Sequence, residues 1–258
     1  MISFTEMIPV QLQRRMSFHK LNNLIKMKFP IRMFCDKNIS VSPEIFSYSD
    51  SMSTSLPDII SQLQSETRSS VSNSRMMTSP IILKLNMILC QAVRAKTVID
   101  IGVFTGSSSL AAALATNDDT KVIAVEKSKK YLDIAFKYWK LAGIDHKIDV
   151  KIGDANDILD DLIEDGRRNL VDFIYIDADK VNYPDYFSKS IELTRPGGII
   201  AVDNTLFRGL VLDQETDNKA ARAIQRFNSF AKQCPDVNVV MLPLADGYTV
   251  AIKKMNYT

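Results

Sequence analysis

From about residue 96 onward, short runs of β-branched residues alternate with longer segments in which apolar residues recur every three or four positions. The first pattern is typical of strands and the second of helices, so the alternation predicts βαβ units and a parallel sheet. Seven strands are predicted, at 97–102, 121–126, 147–153, 171–177, 198–204, 237–242 and 248–253.

The helical pattern is clearest over 128–142, where Leu132, Phe136 and Trp139 share one face and are predicted to be core. Further helices are predicted over 57–70 and from Pro80 towards Ala95, since proline is favoured in the first helical turn. Residues 66–79 are rich in Ser and Thr, which indicates a loop.

The last two predicted strands are separated only by 243–247, which is too short for a crossover helix. They are therefore predicted to pair as an antiparallel hairpin. An α/β sheet with one reversed strand at its end differs from the all-parallel sheet that is usual in dinucleotide dehydrogenases.

Charge is distributed unevenly along the 258 residues, although the net charge is only +2. Residues 1–42 carry seven Lys or Arg against Glu6 and Asp36, a net +5, so the remainder carries −3. This distribution predicts a basic extension over 1–42, either disordered or an organellar targeting segment, followed by one domain over 43–258. A net charge so small does not indicate nucleic-acid binding.

The three cysteines, Cys35, Cys90 and Cys234, are far apart and form no C-x-x-C pair, so neither a disulfide framework nor a cysteine metal site is indicated. The chain has only two histidines, which predicts that any metal is held by oxygen ligands. No apolar stretch approaches the roughly 18 residues of a membrane span. A reducing compartment such as the cytoplasm is expected, or the mitochondrion if 1–42 is a presequence.

The segment VIDIGVFTG at 98–106 predicts a buried strand, a glycine-bearing turn and a helix start. Gly102 and Gly106 are spaced G-x-x-x-G, whereas a dinucleotide pyrophosphate favours G-x-G-x-x-G. Asp100 precedes the first glycine and would repel a diphosphate, but it suits a ligand that carries an ammonium and a sulfonium. These features favour S-adenosylmethionine over a dinucleotide.

Two later strand ends support this cofactor. Glu126 follows Asp100 by 26 residues, where a carboxylate can accept hydrogen bonds from both ribose hydroxyls. Gly153-Asp154-Ala155 follows the third strand, and the small Ala155 leaves room for an adenine face. Each acid taken alone is equally consistent with a solvated carboxylate.

The next two strands end in Asp177-Ala-Asp179-Lys180 and Asp203-Asn204. Adjacent strand ends of an open parallel sheet face one crevice, so two carboxylates and an amide oxygen are predicted to meet there. Such ligands suit Mg²⁺, Mn²⁺ or Ca²⁺. The alternative is that Asp203-Asn204 only caps a turn.

These motifs resemble the cation-dependent O-methyltransferases, a family that includes caffeoyl-CoA and catechol O-methyltransferases. The resemblance extends from about Tyr48 to Lys253, and the chain looks most similar to the catechol O-methyltransferase domain-containing proteins. It depends on six segments: SRMMTSP at 74–80, DIGVFTG at 100–106, HKID at 146–149, DADK at 177–180, DNTLFRG at 203–209 and LPLADG at 242–247.

The resemblance implies a Rossmann-like, seven-stranded methyltransferase sheet with helices on both faces and an antiparallel terminal strand. It implies that Asp177, Asp203 and Asn204 hold the metal, and that Lys180 with Asp177 is catalytic, Lys180 taking the acceptor proton. The cofactor residues it implies are Thr78, Asp100, Gly102, Val103, Gly106, Ser108, Glu126, Ala155 and Asp179.

The function that follows is metal-dependent methylation of a small hydroxylated acceptor, such as a catechol-like vicinal diol, by a homodimer. Two alternatives stay open: a non-catalytic S-adenosylmethionine-binding protein and an NAD-dependent oxidoreductase. The chain departs from the family at Pro80–Leu83, where other members have an Asp-Glu-Gly-Gln helix start, and at Arg208, where plant members have Asn. The second departure argues against a plant-type hydroxycinnamoyl-CoA acceptor.

Overall fold

A computed structural model describes residues 41–255, which form two compact units divided after Asp50. Helix α1 (Pro43–Ser51), which belongs to the first unit as far as Asp50, begins where Ser42 Oγ accepts a hydrogen bond from the Ile45 N–H, and it buries none of its side chains. The predicted extension lies outside the described residues except for Val41 and Ser42, and the boundary at 42/43 stays a prediction.

The second unit contains a seven-stranded sheet in the order β3-β2-β1-β4-β5-β7-β6. Its strands are β1 (Thr97–Ile101), β2 (Lys121–Glu126), β3 (Ile148–Ile152), β4 (Val171–Ile176), β5 (Thr194–Asp203), β6 (Val237–Leu242) and β7 (Tyr248–Lys253). Only β7 runs against its neighbours β5 and β6, and the predicted fold class is confirmed.

Helices cover both faces of this sheet. In the described part of the second unit they are α2 (Asp58–Ser70), α3 (Pro80–Ala92), α4 (Ser107–Leu114), α5 (Leu132–Leu141), α6 (Ala155–Glu164), α7 (Tyr183–Leu193) and α8 (Lys219–Gln233). No helix within residues 41–255 has the length and apolarity needed to cross a membrane.

Successive strand side chains alternate between two cores. On one face, Val98 and Phe173 pack with Leu110 and Trp139 of α4 and α5. On the other, Ile99 packs in a cluster that includes Phe187 and Phe227 of α7 and α8, whose rings meet edge to face with centroids 5.2 Å apart. Each fully buried side chain of this size contributes about 1.5–3 kcal/mol.

Three expectations about local structure were wrong. Phe136 is not core: 47% of it is exposed, and its ring packs edge-on against the buried Trp139. Residues 66–79 are not one loop, because α2 continues to Ser70 and a 3₁₀ turn covers Ser74–Met76. β5 begins four residues earlier than predicted, at Thr194, since a register shift lets it pair with Val171 despite Pro196.

The sheet reverses its direction of growth at β1, which lies between β2 and β4. In open α/β sheets, the crevice outside the carboxyl ends of such strands is the usual ligand site. Because β7 runs in the opposite direction, its amino end lies at this same edge, with Tyr248 beside Asp203. The β6–β7 loop, residues 243–247, therefore joins the crevice.

Candidate active site

A crevice of about 740 Å³ opens at the carboxyl ends of the parallel strands. Most of the predicted site residues line it: Thr78, Gly102, Val103, Glu126, Ala155, Asp177, Asp179, Lys180, Asp203 and Asn204, together with Arg208. Asp100, Gly106 and Ser108 are not among its lining residues, and their predicted cofactor contacts stay predictions.

Gly102 makes the close approach of β1 and β4 possible. Its φ is +100°, and a Cβ there would lie 2.5 Å from the carbonyl oxygen of Asp177. Any side chain would push the two strand ends apart. The glycine therefore keeps Asp177 beside the turn that the cofactor motif predicted.

Gly106 is needed for helix packing rather than for space in the crevice. With φ at +89°, a Cβ would lie 2.6 Å from Cβ of Ala135 and 2.9 Å from the Trp139 ring. The Gly106 carbonyl accepts a hydrogen bond from Trp139 Nε1 at 3.1 Å. This residue joins α4 to α5 behind the crevice wall.

Asp100 is buried behind the same wall, with 1% of its surface exposed. Its Oδ2 accepts hydrogen bonds from the hydroxyls of Ser108, at 2.7 Å, and Ser109, while Oδ1 has no partner among the described residues. Burial raises the pKa of Asp100 to about 7. The Ser108 hydroxyl is therefore engaged as a hydrogen-bond donor to the Asp100 carboxyl group.

Glu126 holds the glycine turn in place at the end of β2. Its Oε2 accepts the N–H of Phe104 at 2.9 Å, and its Oε1 accepts the N–H of Ser128 at 3.1 Å. Phe104 has φ of +53°, a conformation that needs such support. The Phe104 ring meets the Tyr131 ring edge to face at 5.0 Å, giving this end of the crevice an aromatic wall.

Ala155 begins α6, whose N-cap Asp154 accepts the N–H of Asn156 at 2.9 Å. Asp179, on the next strand end, accepts the Tyr186 hydroxyl at 2.5 Å and the Asn182 amide at 2.7 Å. Both Ala155 and Asp179 therefore have fixed positions on the crevice wall.

The predicted metal ligands meet at the ends of β4 and β5. Asp203 is 4% exposed, and its Oδ2 accepts the Tyr175 hydroxyl at 2.7 Å. Asp177 Oδ1 accepts from Lys180 Nζ at 2.6 Å, and this ammonium lies 5.0 Å from the centroid of the Tyr183 ring.

Two carboxyl groups in so little water disfavour each other's charge. Burial, and then the charge of Asp177, raise the pKa of Asp203 to about 7, and burial also raises the pKa of Asp177. Within 41–255, no three or more His, Cys, Asp or Glu side chains form a metal-binding cluster. The predicted site instead pairs two carboxylates with the Asn204 amide.

Sequence reasoning overlooked several crevice residues, among them Phe104, Tyr131, Tyr186, Arg75 and Asp246. Phe104 stands inside the glycine motif itself, and Asp246 stands inside the LPLADG segment, so both motifs contained a signal. Tyr131 and Tyr186 lie on helical segments, where an aromatic residue is more often core than ligand contact.

Comparison with known proteins gives this crevice a context. A family model described as O-methyltransferase matches residues 50–254. A Dictyostelium discoideum protein named probable caffeoyl-CoA O-methyltransferase 1 is 40% identical over 219 residues, which cover 84% of this chain and 95% of that protein. Caffeoyl-CoA O-methyltransferase 1 of Eucalyptus globulus is 39% identical over 173 residues, covering 64% and 70% respectively.

Solved structures agree. The O-methyltransferase TomG from Streptomyces achromogenes, solved with S-adenosylmethionine, superposes with a TM-score of 0.75 at 25% identity, covering 82% of this chain and 96% of TomG. An O-methyltransferase from Bacillus cereus, solved with S-adenosylhomocysteine, gives 0.72 at 26% identity, covering 82% and 97%. The chain therefore belongs to the O-methyltransferase family of S-adenosylmethionine-dependent enzymes, as its motifs indicated.

Proposed function

We propose that this enzyme transfers the methyl group of S-adenosylmethionine to one hydroxyl of a small aromatic vicinal diol, assisted by a divalent cation at Asp177, Asp203 and Asn204. The observation that carries the proposal is the meeting of the Asp177 and Asp203 carboxylates in the crevice that Glu126 and Ala155 also line. In the transfer, the bond from sulfur to the methyl carbon breaks, a carbon–oxygen bond forms, and the hydroxyl proton leaves.

Two solved relatives bind the cofactor or its product, which supports a cofactor site at the Glu126 end of the crevice. The ribose hydroxyls would there donate hydrogen bonds to a carboxylate already fixed by two backbone N–H groups. Alignment of the acceptor oxygen with the methyl group is the main requirement of the reaction, and fixed groups provide it without reorganisation.

The residues at the other end fit a cation. The carboxylates of Asp177, Asp203 and Asp246 all line it, and the Lys180 ammonium pairs with Asp177. Hard oxygen ligands in partial burial are what Mg²⁺ and Mn²⁺ prefer. A divalent cation there would stabilise the deprotonated acceptor oxygen and disfavour the charged form of the neighbouring Lys180.

Lys180 is the proposed proton acceptor. Its Nζ lies within hydrogen-bond distance of Asp177, and only 18% of its side chain is exposed, so it can reach the acceptor end of the crevice without first crossing solvent. It can act as a base only as the neutral amine.

Arg208 favours an acceptor that also carries an acidic group. Arg75 and Arg208 both line the crevice, and neither side chain forms an ion pair within the described residues. A planar guanidinium is well suited to bind a carboxylate or phosphate. A diol with an acidic side chain is therefore the second acceptor class to assay.

Removal of the metal and substitution of Asp203 test the proposal. With S-adenosylmethionine and a catechol, Mg²⁺ should support turnover, and EDTA should abolish it. Asp203→Ala should abolish metal-dependent turnover but leave S-adenosylhomocysteine affinity in calorimetry largely intact, because its carboxylate serves the cation. The matched control is Asp213→Ala, whose exposed carboxylate accepts, among the described residues, only the nearby Glu215 N–H.

Full activity in EDTA would contradict the metal mechanism. Binding of cofactor with no methylation of any diol, acidic or neutral, would favour the non-catalytic alternative. In the same assay Lys180→Met should lower the rate roughly 10²- to 10⁴-fold, the range typical of a lost general base, whereas the exposed Lys140→Met should not.

A further inference from the structure

The β6–β7 loop, residues 243–247, contacts the segment that follows β5. The Thr205 N–H donates to the Gly247 carbonyl at 3.0 Å, and the Leu206 N–H donates to the Asp246 carbonyl at 2.9 Å. A Cβ at Gly247 would collide with the Leu206 backbone nitrogen, so only glycine permits this approach.

The side chain of Asp246 adds a third connection. Its Oδ1 accepts the Arg208 N–H at 2.5 Å, and its Oδ2 faces Nδ2 of Asn204 at 3.5 Å. One carboxylate thus contacts both ends of the segment 204–208, which begins at a proposed metal ligand and ends at a proposed acceptor contact.

This segment needs external support because its backbone is unfavourable. Asn204, Phe207 and Arg208 have φ of +58°, +44° and +54°, in the left-handed region that side chains disfavour. Such conformations persist only where surrounding contacts determine them. The two backbone hydrogen bonds and the Asp246 carboxylate are contacts of this kind.

We infer that Asp246 is a positioning residue that holds the segment 204–208 in place and orients the Asn204 amide. A carboxylate only accepts hydrogen bonds, so it can face the NH₂ group of Asn204 but not its oxygen. The amide oxygen is thereby directed away from Asp246 and is available to a cation. The inference has two steps: first, Asp246 holds the segment 204–208; second, it orients the Asn204 amide. The second step rests on the proposed function, whereas the first does not.

Hydrogen exchange tests the first step in the metal-free protein. Asp246→Ala removes the acceptor of the Arg208 N–H, so the protection of that amide should fall about 10-fold or more. Asp213→Ala, which removes an exposed carboxylate five residues after Arg208 in the chain, should leave the exchange of the Arg208 amide unchanged. Unaltered Arg208 exchange in Asp246→Ala protein that keeps its melting temperature would overturn the inference.

Mn²⁺ affinity, measured by electron paramagnetic resonance, tests the second step. In Asp246→Asn the new amide can donate to the Asn204 oxygen, so Mn²⁺ affinity should fall roughly 10- to 100-fold, as when other groups that orient a ligand are removed. S-adenosylhomocysteine affinity should not change. The double variant Asn204→Asp, Asp246→Asn should recover most of the Mn²⁺ affinity, because a carboxylate at 204 has no wrong orientation.

The outcomes separate the two proposals. If the unmodified protein binds no Mn²⁺, the metal site is wrong, while the exchange result still decides whether Asp246 holds the segment. If the protein binds Mn²⁺ and Asp246→Asn binds it equally well, the orienting role is wrong. Failure of the double variant to recover affinity would also count against orientation, and would indicate that the Asp246 charge itself attracts the cation.

Discussion

Asp100 is a carboxyl group placed where its charged form is poorly stabilised. Two serine hydroxyls donate to one of its oxygens, but burial outweighs them and raises its pKa to about 7. In the unfolded chain an aspartate has a pKa near 3.9. The folded state therefore holds this proton more tightly than the unfolded state does.

A pH-dependent stability follows from that difference. Because the folded pKa is raised, Asp100 lowers the free energy of unfolding as the pH rises from about 4 to about 7, by at most about 4 kcal/mol. Asp100→Asn keeps an acceptor for the serines but does not titrate. Urea unfolding of the ligand-free protein should therefore show a gap between variant and parent that widens in favour of the variant over this range.

The parent alone is not a sufficient test, because the pKa of Asp203 is also raised to about 7. Comparison of parent with variant at each pH removes that shared contribution. A gap that does not change between pH 4 and pH 8 would contradict the assignment to Asp100.

Among the elements, α4 depends on a single glycine for its position. Gly106 is the N-cap of the helix, its carbonyl accepts a hydrogen bond from the Trp139 indole N–H, and α5 packs directly against its Cα. The turn at 102–106 in front of it is thus continuous with the core behind it, and the placement of the turn depends on that packing.

Gly106→Ala should lower the free energy of unfolding by about 2–5 kcal/mol, combining left-handed strain of about 1–2 kcal/mol with overpacking of about 1–3 kcal/mol. Gly143→Ala is the matched control, since its φ is +69° but a Cβ there would meet no atom within 4 Å. That control should show the strain alone. Equal losses in thermal or urea unfolding would mean that α5 moves aside without penalty.

At the scale of the whole molecule, both cores and the crevice lie in the second unit, which begins at Ser51. Their residues belong to the sheet and to the helices and loops beside it. Deletion of residues 1–42, whose sequence lacks apolar periodicity, should therefore leave the melting temperature nearly unchanged. Scanning calorimetry of full-length and shortened chains measures this. A fall of several degrees would show that the extension packs on the domain or on a second copy.

The oligomeric state is also a property of the whole molecule. A homodimer is expected from the family resemblance alone, and sedimentation of the full chain at micromolar concentration tests it. A monomer under those conditions would contradict that expectation.

Much of the fold was predictable because strands and helices leave local periodic patterns. Five of the seven strands begin at the predicted residue, and the reversal of β7 follows from the shortness of 243–247 alone. Periodicity failed for Phe136, since it identifies one face of α5 but not how far the neighbouring helices extend over that face.

The crevice was partly predictable for a related reason. In a parallel sheet, residues at successive strand ends lie at one edge whatever the loops do, so Glu126, Asp177 and Asp203 could be grouped from the sequence alone. The sequence alone could not show which of the motif residues line the crevice. Gly106 and Asp100 belong to the same nine-residue segment as Gly102, yet they point into the packing behind the wall.

The amino-acid sequence alone therefore determined the order of strands and helices, the family, and the set of strand ends that meet at one edge. Each of these depends on residues that are close together in the sequence. The tertiary structure alone decided that Asp246 lies against Asn204 and Arg208, some forty residues earlier in the chain. That contact exists because β7 inserts between β5 and β6, and pairing between distant strands leaves no periodic trace in either loop that it brings together.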